Sequence, residues 1–229
     1  MTDGLPKSVR YEVKFASTLM RFHDLAHWIR VHPAGFFSPY PPRKVNNVYF
    51  DGYRLQAYHE NVVGESSRSK VRLRWYGDSF RPESAVMEVK RRRNMLGWKL
   101  SYATGAVDFE SDSWLGIRRR LRADLSSEAR IWLDASPQPV LINRYSREYF
   151  VSRDGRVRVT LDAHQSVFDQ RFSRKPNLRS PANLPNTIVV EFKFAPENRA
   201  RGMWSIQGIP IRVSRNSKYV IGVQSLLPS

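Results

Sequence analysis

The clearest pattern in the chain is the alternation of apolar and polar residues. Residues 70–75 read KVRLRW, in which every second residue is basic. Because a β-strand places alternate side chains on opposite faces, this segment is predicted to be a strand with two unlike faces. Lys70, Arg72 and Arg74 would share one face, and three apolar side chains would share the other. Like charges along one face repel each other, so the basic face indicates an anionic ligand or counterion.

The same alternation predicts about eight strands, which is typical of a large antiparallel sheet or a barrel. Besides 70–77, the strand-like segments are 10–15, 46–50, 86–92, 145–151, 156–162, 188–194 and 209–213. Basic residues outnumber acidic ones on the charged faces of these strands. A barrel that turns those faces inward would enclose a cationic tunnel, and its apolar outside would need a cover of helices.

Four segments are predicted to be helices, and two are predicted to be loops. The helical segments are 17–31, with Ser17 as its N-cap, and 112–122, 125–134 and 214–227. The proline-containing segments 33–44 and 172–187 are the loops. Since no repeat or sharp boundary is present, residues 1–229 are predicted to form one α+β domain. Its expected architecture is an eight-stranded antiparallel β-barrel tunnel with a cationic lumen, covered by several helices.

Composition adds a strong positive charge to this picture. The 229 residues carry a formal net charge of +17, which favours anionic partners such as nucleic acid, anionic lipid or polyphosphate. Cysteine is absent, which excludes disulfides, thiolate zinc sites and cysteine nucleophiles. No apolar run reaches the length of a membrane span, and the N-terminal segment lacks an apolar signal core. A cytoplasmic protein is therefore expected.

Three glutamates recur two residues before a lysine on the predicted strands, namely Glu12, Glu88 and Glu191. Arginine and lysine bind phosphate oxygens. Carboxylates among such cations suit Mg²⁺ or Mn²⁺, which prefer oxygen ligands and bridge proteins to phosphates. A cationic tunnel with these carboxylates therefore indicates phosphoryl transfer, a reaction that depends mainly on positioning and charge neutralisation.

These motifs resemble those of the triphosphate tunnel metalloenzymes, a superfamily also called CYTH-like. The resemblance rests on the E-x-K triplets, K-x-R-x-R at 70–74, R-x-R-x-x-x-D at 156–162 and SKY at 217–219. Within the superfamily, the chain is similar to the polyphosphate polymerase domain of the vacuolar transporter chaperone (VTC) type, over roughly residues 8–225. The resemblance implies a transferase that moves the terminal phosphoryl group of ATP to a growing polyphosphate chain, with Mn²⁺ or Mg²⁺ as cofactor.

The resemblance also implies roles for individual residues. The residues implied to act on the reacting phosphates are Lys218, Arg72, Arg74, Lys90 and Arg158. Those implied to bind the phosphate chain are Lys14, Lys70, Lys99, Arg144, Arg147, Lys193 and Arg215. The implied metal ligands are Glu191, Glu12 and Glu88. ATP and polyphosphate are the expected partners, together with a separate membrane partner that would hold the domain at a membrane, and no nucleic acid is expected.

One position departs from the hydrolase branch of the superfamily. The E-x-E-x-K motif of that branch reads R-Y-E-V-K at 10–14, so Arg10 replaces the first carboxylate. The loss of one metal ligand favours the polymerase branch and leaves the metal stoichiometry open. An inorganic or nucleoside triphosphatase with the same tunnel and a non-catalytic polyphosphate or nucleic-acid binding module stay as alternatives. The aromatic residues on the assigned strands face away from the basic ones, which favours a phosphate ligand over stacked bases.

The remaining motifs carry less weight. His23 and His27 have the spacing of a helical zinc pair, but no third ligand follows in a recognisable context. The sequence contains neither a P-loop nor a G-x-S-x-G motif. The basic run at 118–122 would spread around a helix, so it is interpreted as a solvated surface.

Overall fold

The computed structural model describes residues 9–94 and 96–227, and its central element is one eight-stranded sheet. Residues 1–8, 95 and 228–229, which the predicted domain includes, lie outside the described residues. The strands are β1 (Tyr11–Thr18), β2 (Arg43–Asp51), β3 (Ser67–Tyr76), β4 (Ala85–Arg93), β5 (Leu96–Thr104), β6 (Gln138–Val151), β7 (Val157–Asp169) and β8 (Thr187–Phe194). Their order in the sheet is β1-β8-β7-β6-β2-β3-β4-β5.

Every pairing in the sheet is antiparallel, and the sheet curls until its two edges meet. Arg10 and Gly97 exchange two backbone hydrogen bonds, of 3.2 and 3.3 Å, between the β1 and β5 edges. The curled sheet therefore forms a tunnel, and the predicted α+β tunnel fold is confirmed.

Six α-helices lie in the described part of the chain. They are α1 (Phe22–Val31), α2 (Gln56–Val63), α3 (Trp114–Asp124), α4 (Ser127–Ala135), α5 (Arg199–Ser205) and α6 (Lys218–Gln224). None of them is both long and apolar enough to cross a membrane. Among the six, α1 and α3 cover the outside of this sheet. The outward side chains Leu73 and Trp75 of β3 pack with Ile117 and Leu121 of α3 in one buried cluster. The face predicted to need a helical cover is thus covered.

A second apolar cluster lies on the opposite part of the sheet. Leu25 and Ile29 of α1 pack there against Val159 of β7 and Phe192 of β8, and all four are fully buried. The two clusters hold the sheet from outside, because burial of apolar area is the main stabilising contribution to a folded domain. The inner face is left to the charged side chains.

Two of the predicted elements are wrong at specific positions. Ser17 does not cap a helix, because β1 continues to Thr18 and pairs Ser17 with Ile188 of β8. The helix predicted over 17–31 therefore begins only at Phe22, after a short 3₁₀ turn. The predicted strand at 209–213 is absent apart from a single bridge between Val213 and Phe15. At Ser17 the ladder between β1 and β8 outweighs the local capping preference.

Three elements were not predicted from the sequence, namely β5, α2 and α5. The pattern in β5 was present, since Trp98, Leu100 and Tyr102 alternate with Lys99 and Ser101. The loop expected at 172–187 is confirmed, because no helix or strand lies between the end of β7 and the start of β8. The loop expected at 33–44 ends where β2 begins, at Arg43.

Candidate active site in the tunnel

A cavity of about 390 Å³ lies inside the curled sheet. The lining includes a single carboxylate, that of Glu191, and eleven basic residues. These basic residues are Arg10, Lys14, Lys70, Arg72, Arg74, Lys90, Lys99, Arg147, Arg158, Lys193 and Lys218. The structure thus brings together every residue predicted to act on or bind phosphate except Arg144 and Arg215. An enclosed surface of this composition attracts a linear polyanion.

Glu88 lies beneath this lining and neutralises three of its cations. Its Oε2 accepts a hydrogen bond of 2.8 Å from Arg72 Nε and lies 3.7 Å from Arg74. Its Oε1 lies 2.6 Å from Lys99 Nζ. Burial raises the pKa of Glu88, but Arg72, Arg74 and Lys99 outweigh burial and hold the pKa well below its usual range. Glu88 is therefore a permanent internal counterion for three cations on β3 and β5.

Asp162 has the same function on the other side of the tunnel. Arg147 donates two hydrogen bonds to it, of 2.6 and 2.8 Å, and Lys218 Nζ lies 2.6 Å from its Oδ2. Burial raises the pKa of Asp162, and Arg147 and Lys218 lower it by more. Bidentate pairing fixes the plane of the guanidinium, so Asp162 orients two of the cations that face the cavity.

Glu12 and Glu191 occupy neighbouring strands, β1 and β8, where Lys14 lies opposite Glu191. Lys14 Nζ is 3.4 Å from Glu191, and Lys193 also contacts Glu191. Burial raises the pKa of Glu12, and so does the charge of Glu191, whereas Lys90 and other lysines lower it to about 2. Both carboxylates are therefore ionised at neutral pH, although each charge opposes the other.

Three lysines face each other directly across β3, β4 and β5. Lys70 pairs in register with Lys90, and Lys90 pairs with Lys99. Glu12 raises the pKa of Lys90, but burial and the charges of Arg72 and Lys14 outweigh it and lower the pKa to about 7. Burial and the surrounding cations also lower the pKa of Lys70. Directly opposed like charges are destabilising, so an anion bound between these lysines would relieve their repulsion.

Helix α6 brings the SKY segment to the tunnel by packing on the inner face of the sheet, where Tyr219 stacks on the cavity-lining Tyr49 at 5.0 Å between ring centres. A Cβ at Gly222 would lie 2.8 Å from Leu141 Cδ2, so this glycine allows α6 to approach β6 closely. The Ser217 hydroxyl accepts a hydrogen bond of 2.9 Å from Lys70 Nζ. The hydroxyl of Tyr219 donates to Asp51, at the end of β2. The motif thus has a serine and a lysine at the cavity and a tyrosine that holds the helix in place.

Several tyrosines line the tunnel, which corrects the expectation that its charged faces lack aromatic residues. Tyr49, Tyr145 and Tyr149 all line the cavity. The hydroxyl of Tyr145 accepts a hydrogen bond of 3.3 Å from Arg74, and Lys218 Nζ lies 4.7 Å from the centre of its ring. The sequence contained the information needed to predict these tyrosines. Tyr145, Arg147 and Tyr149 are spaced two residues apart, so they share one strand face.

Two predicted phosphate ligands lie elsewhere. Arg144 lies outside the tunnel, where its guanidinium stacks 4.4 Å from the Phe80 ring and donates to the carbonyl of Asp78. Since alternate residues of β6 face opposite sides, only Arg147 of the two predicted arginines can face the cavity. Arg215 does not line the cavity. Burial, followed by the charges of Arg92 and Arg215, lowers the pKa of Arg68.

The predicted metal ligands do not form one cluster. Among the described residues, no group of three His, Cys, Asp or Glu side chains could hold a metal ion. Glu88 is engaged by its own cations, whereas Glu12 and Glu191 lie near each other. Two carboxylates suit Mg²⁺ or Mn²⁺ when phosphate oxygens and water complete the coordination. His23 and His27 are both exposed on α1.

The antiparallel sheet encloses a cavity lined mainly by cations, so the chain belongs to the class of tunnel folds with a cationic lumen. The VTC domain family matches residues 9–227, so the chain belongs to the VTC domain family. The resemblance noted from the motifs is thereby confirmed.

Two curated relatives belong to vacuolar transporter chaperone complexes. Subunit 4 from Trypanosoma cruzi is 27% identical over 228 residues, which cover 80% of this chain and 28% of the relative. Subunit 2 from Saccharomyces cerevisiae is 23% identical over 208 residues, which cover 76% of this chain and 25% of the relative. The chain thus spans about a quarter of the length of these relatives.

Two solved structures resemble the chain over nearly their whole length. The PH1819 protein from Pyrococcus horikoshii has a TM-score of 0.49 at 12% identity, and the match covers 95% of this chain and 99% of that protein. A candidate adenylate cyclase from Vibrio parahaemolyticus has a TM-score of 0.49 at 13% identity, with 94% and 98% covered.

Proposed function

We propose that this domain transfers the terminal phosphoryl group of ATP to a growing polyphosphate chain held in the tunnel. The observation that carries the proposal is the row of cations along an enclosed cavity whose nearby carboxylates are already paired. Such a lining leaves several positive charges for a ligand, and arginine forks and lysines suit the closely spaced oxygens of a phosphate chain.

In the proposed reaction, the bond between the β,γ-bridging oxygen and the γ-phosphorus of ATP breaks and ADP leaves. A terminal oxygen of the chain forms the new bond to the γ-phosphorus. Arg147 and Lys218, oriented by Asp162, would hold the charge that develops on the transferred group. Arg72 and Arg74, held by Glu88, would align the phosphates behind it.

Glu12 and Glu191 would hold Mn²⁺ or Mg²⁺ at this site, together with phosphate oxygens. When bound, such an ion neutralises charge on the phosphates and fixes their geometry. Arg10 supports the assignment of a polymerase over a hydrolase, because its Nε lies 3.1 Å from Glu12 where the hydrolase motif has a further carboxylate.

A triphosphatase with water as the acceptor is the second candidate, since the same cavity would hold its substrate. The relatives are subunits of vacuolar transporter chaperone complexes, so we also propose that the domain works in the cytoplasm with partner subunits, one of them at a membrane.

The test is an incubation of the purified protein with ATP and Mn²⁺. Products are resolved by gel, and ADP and free phosphate are assayed separately. A ladder of phosphate chains with matching ADP is the expected result. Free phosphate without a ladder would instead identify a triphosphatase, and the absence of both products would overturn the enzymatic assignment.

A variant pair makes this assay specific for the tunnel. Lys218→Ala removes a cation 2.6 Å from Asp162, whereas Lys175→Ala removes an exposed lysine from the 172–187 loop. We expect the first variant to lose the ladder and the second to retain it. Equal ladders from both variants would contradict a role for Lys218.

A further inference from the structure

A group of aromatic side chains surrounds one arginine at the edge of the cavity. The guanidinium carbon of Arg43 lies 5.5 Å from the ring centre of Tyr40, 4.6 Å from that of Tyr76 and 4.9 Å from that of Tyr149. Tyr40 and Tyr149 line the cavity, while Tyr40 and Tyr76 are 56% and 46% exposed. We call Tyr40, Arg43, Tyr76 and Tyr149 the aromatic rim.

The proline-containing loop before β2 holds Tyr40 in this position. Phe37 exchanges two backbone hydrogen bonds with Val151, of 3.0 and 2.9 Å, which fastens the loop to the end of β6. The Ser38 hydroxyl then donates a hydrogen bond of 2.8 Å to the carbonyl of Tyr40. A large exposed ring on a fastened loop is presented to solvent at low entropic cost, which is typical of a binding surface.

The aromatic rim adjoins the phosphate-binding residues directly. The guanidinium carbon of Arg147 lies 5.8 Å from the centre of the Tyr149 ring. The same guanidinium donates to Asp162, which Lys218 also contacts. The rim also marks one end of the tunnel. Tyr76 ends β3, and Arg68 lies eight residues away near its start, a span of roughly 26 Å along an extended strand.

At the other end of β3, the strand face that carries Tyr76 carries Arg68 instead of a ring. There Arg68 lies opposite Arg92, and Arg68 is held by the neutral groups of Asn61 and the Glu65 carbonyl. The two ends of the same strand therefore differ in chemistry. One end offers aromatic faces, and the other offers guanidinium groups.

We infer that the aromatic rim binds the base of a nucleotide whose phosphates lie in the tunnel. Bases stack on tyrosine rings and on guanidinium planes, and such stacking tolerates different bases because every base has a π-face. Stacking does not read the edges of a base, so adenine and guanine nucleotides should bind with similar affinity. This inference rests on the proposed function only in that the tunnel holds the phosphates.

The experiment compares ATP with inorganic tripolyphosphate, which has the same phosphate chain but no base. Dissociation constants for both are measured by calorimetry on the wild-type protein and on Tyr40→Leu. We expect ATP to bind about tenfold more weakly to Tyr40→Leu, with tripolyphosphate affinity unchanged. Tyr40→Phe keeps the ring and should restore ATP binding. Tyr53→Leu, which removes a ring that is 77% exposed outside the cavity, is the matched control.

The outcomes separate this inference from the proposed function. If Tyr40→Leu binds both ligands as the wild type does, or loses both equally, the base site is overturned while the phosphate tunnel stands. If the wild-type protein binds neither ligand, the tunnel itself is overturned and the base site with it.

Discussion

The carboxylates on the two sides of the tunnel have different charged neighbours. Glu88 stands alone between β3 and β5, where Arg72, Arg74 and Lys99 surround it. Glu12 and Glu191 stand together on β1 and β8, where the charge of Glu191 raises the pKa of Glu12. The same E-x-K motif thus occurs in two environments: Glu88 has three cations to itself, whereas the two carboxylates of Glu12 and Glu191 share four.

This difference distinguishes Glu88, to which we assign a structural role, from the two carboxylates that we propose as metal ligands. A carboxylate with three cations within 4 Å has little affinity left for a further cation, and its removal would leave buried charges uncompensated. Two adjacent carboxylates gain from an additional cation, because it relieves their mutual repulsion. The following predictions test that distinction, beginning with the largest effect.

The largest expected effect is the loss of stability in Glu88→Gln. Removal of this charge leaves two buried arginines and the more exposed Lys99 without their counterion. We expect the free energy of unfolding to fall by about 3 kcal/mol, measured by urea denaturation. The control is Glu83→Gln, an exposed acid in the loop before β4, which should unfold as the wild type does. A stable Glu88→Gln protein would show that the cations do not need this counterion.

The second prediction concerns Glu191→Gln and the metal ion. We expect the activity with Mn²⁺ to fall by at least about 100-fold, because one of the two proposed ligands is lost. The concentration of Mn²⁺ that gives half-maximal activity should also rise. Any folded fraction of Glu88→Gln should keep the wild-type Mn²⁺ dependence. The same dependence in both variants would remove the distinction between the two sides.

The third prediction concerns the stability of a variant that lacks two arginines of β3, for which the sequence pattern and the structure lead to different expectations. The row of like charges on β3 suggests that Arg72→Ala with Arg74→Ala would leave folding intact or improve it. In the structure both arginines are buried against Glu88, so we expect the double variant to lose about 2 kcal/mol of stability. The matched pair Arg119→Ala with Arg179→Ala removes two exposed arginines, and urea denaturation should show little change for it.

The smallest effect is a pH dependence from Lys70. Burial, followed by the charges of Lys14, Lys90 and other cations, places its pKa well below 10.5. Only the protonated amine attracts phosphate, so tripolyphosphate affinity should fall as pH rises above the lowered pKa, by at most about tenfold per pH unit. Lys70→Gln should have a flatter profile. An unchanged slope in this variant would assign the titration to other groups.

Stability should change with pH in the opposite sense. The unfolded chain keeps Lys70 protonated up to about 10.5, whereas the folded protein without ligand releases the proton earlier. The unfolded state therefore binds more protons between the two pKa values, and the free energy of unfolding should rise with pH across that window. Thermal unfolding of the wild type and Lys70→Gln at several pH values measures this contribution.

Much of the fold and part of the site could be predicted from the sequence. The alternation at 70–75 placed Arg72 and Arg74 inside and Trp75 outside, and the burial of Trp75 beneath α3 confirms it. The aromatic rim could not be predicted, because Tyr40 reaches the cavity from a loop without periodicity. Arg144 and Arg147 could not be separated until the strand face of each was known.

The sequence by itself determined the two unlike faces of the strands and the sign of the charge that faces the tunnel. Those properties are local, since a period of two residues specifies a strand face without knowledge of its neighbours. Only the tertiary structure decided which cations each carboxylate neutralises. Lys218 meets Asp162 across 56 residues of sequence, and Lys70 meets Ser217 across 147. Such pairs depend on strand register and on the docking of α6, which no short stretch of sequence encodes.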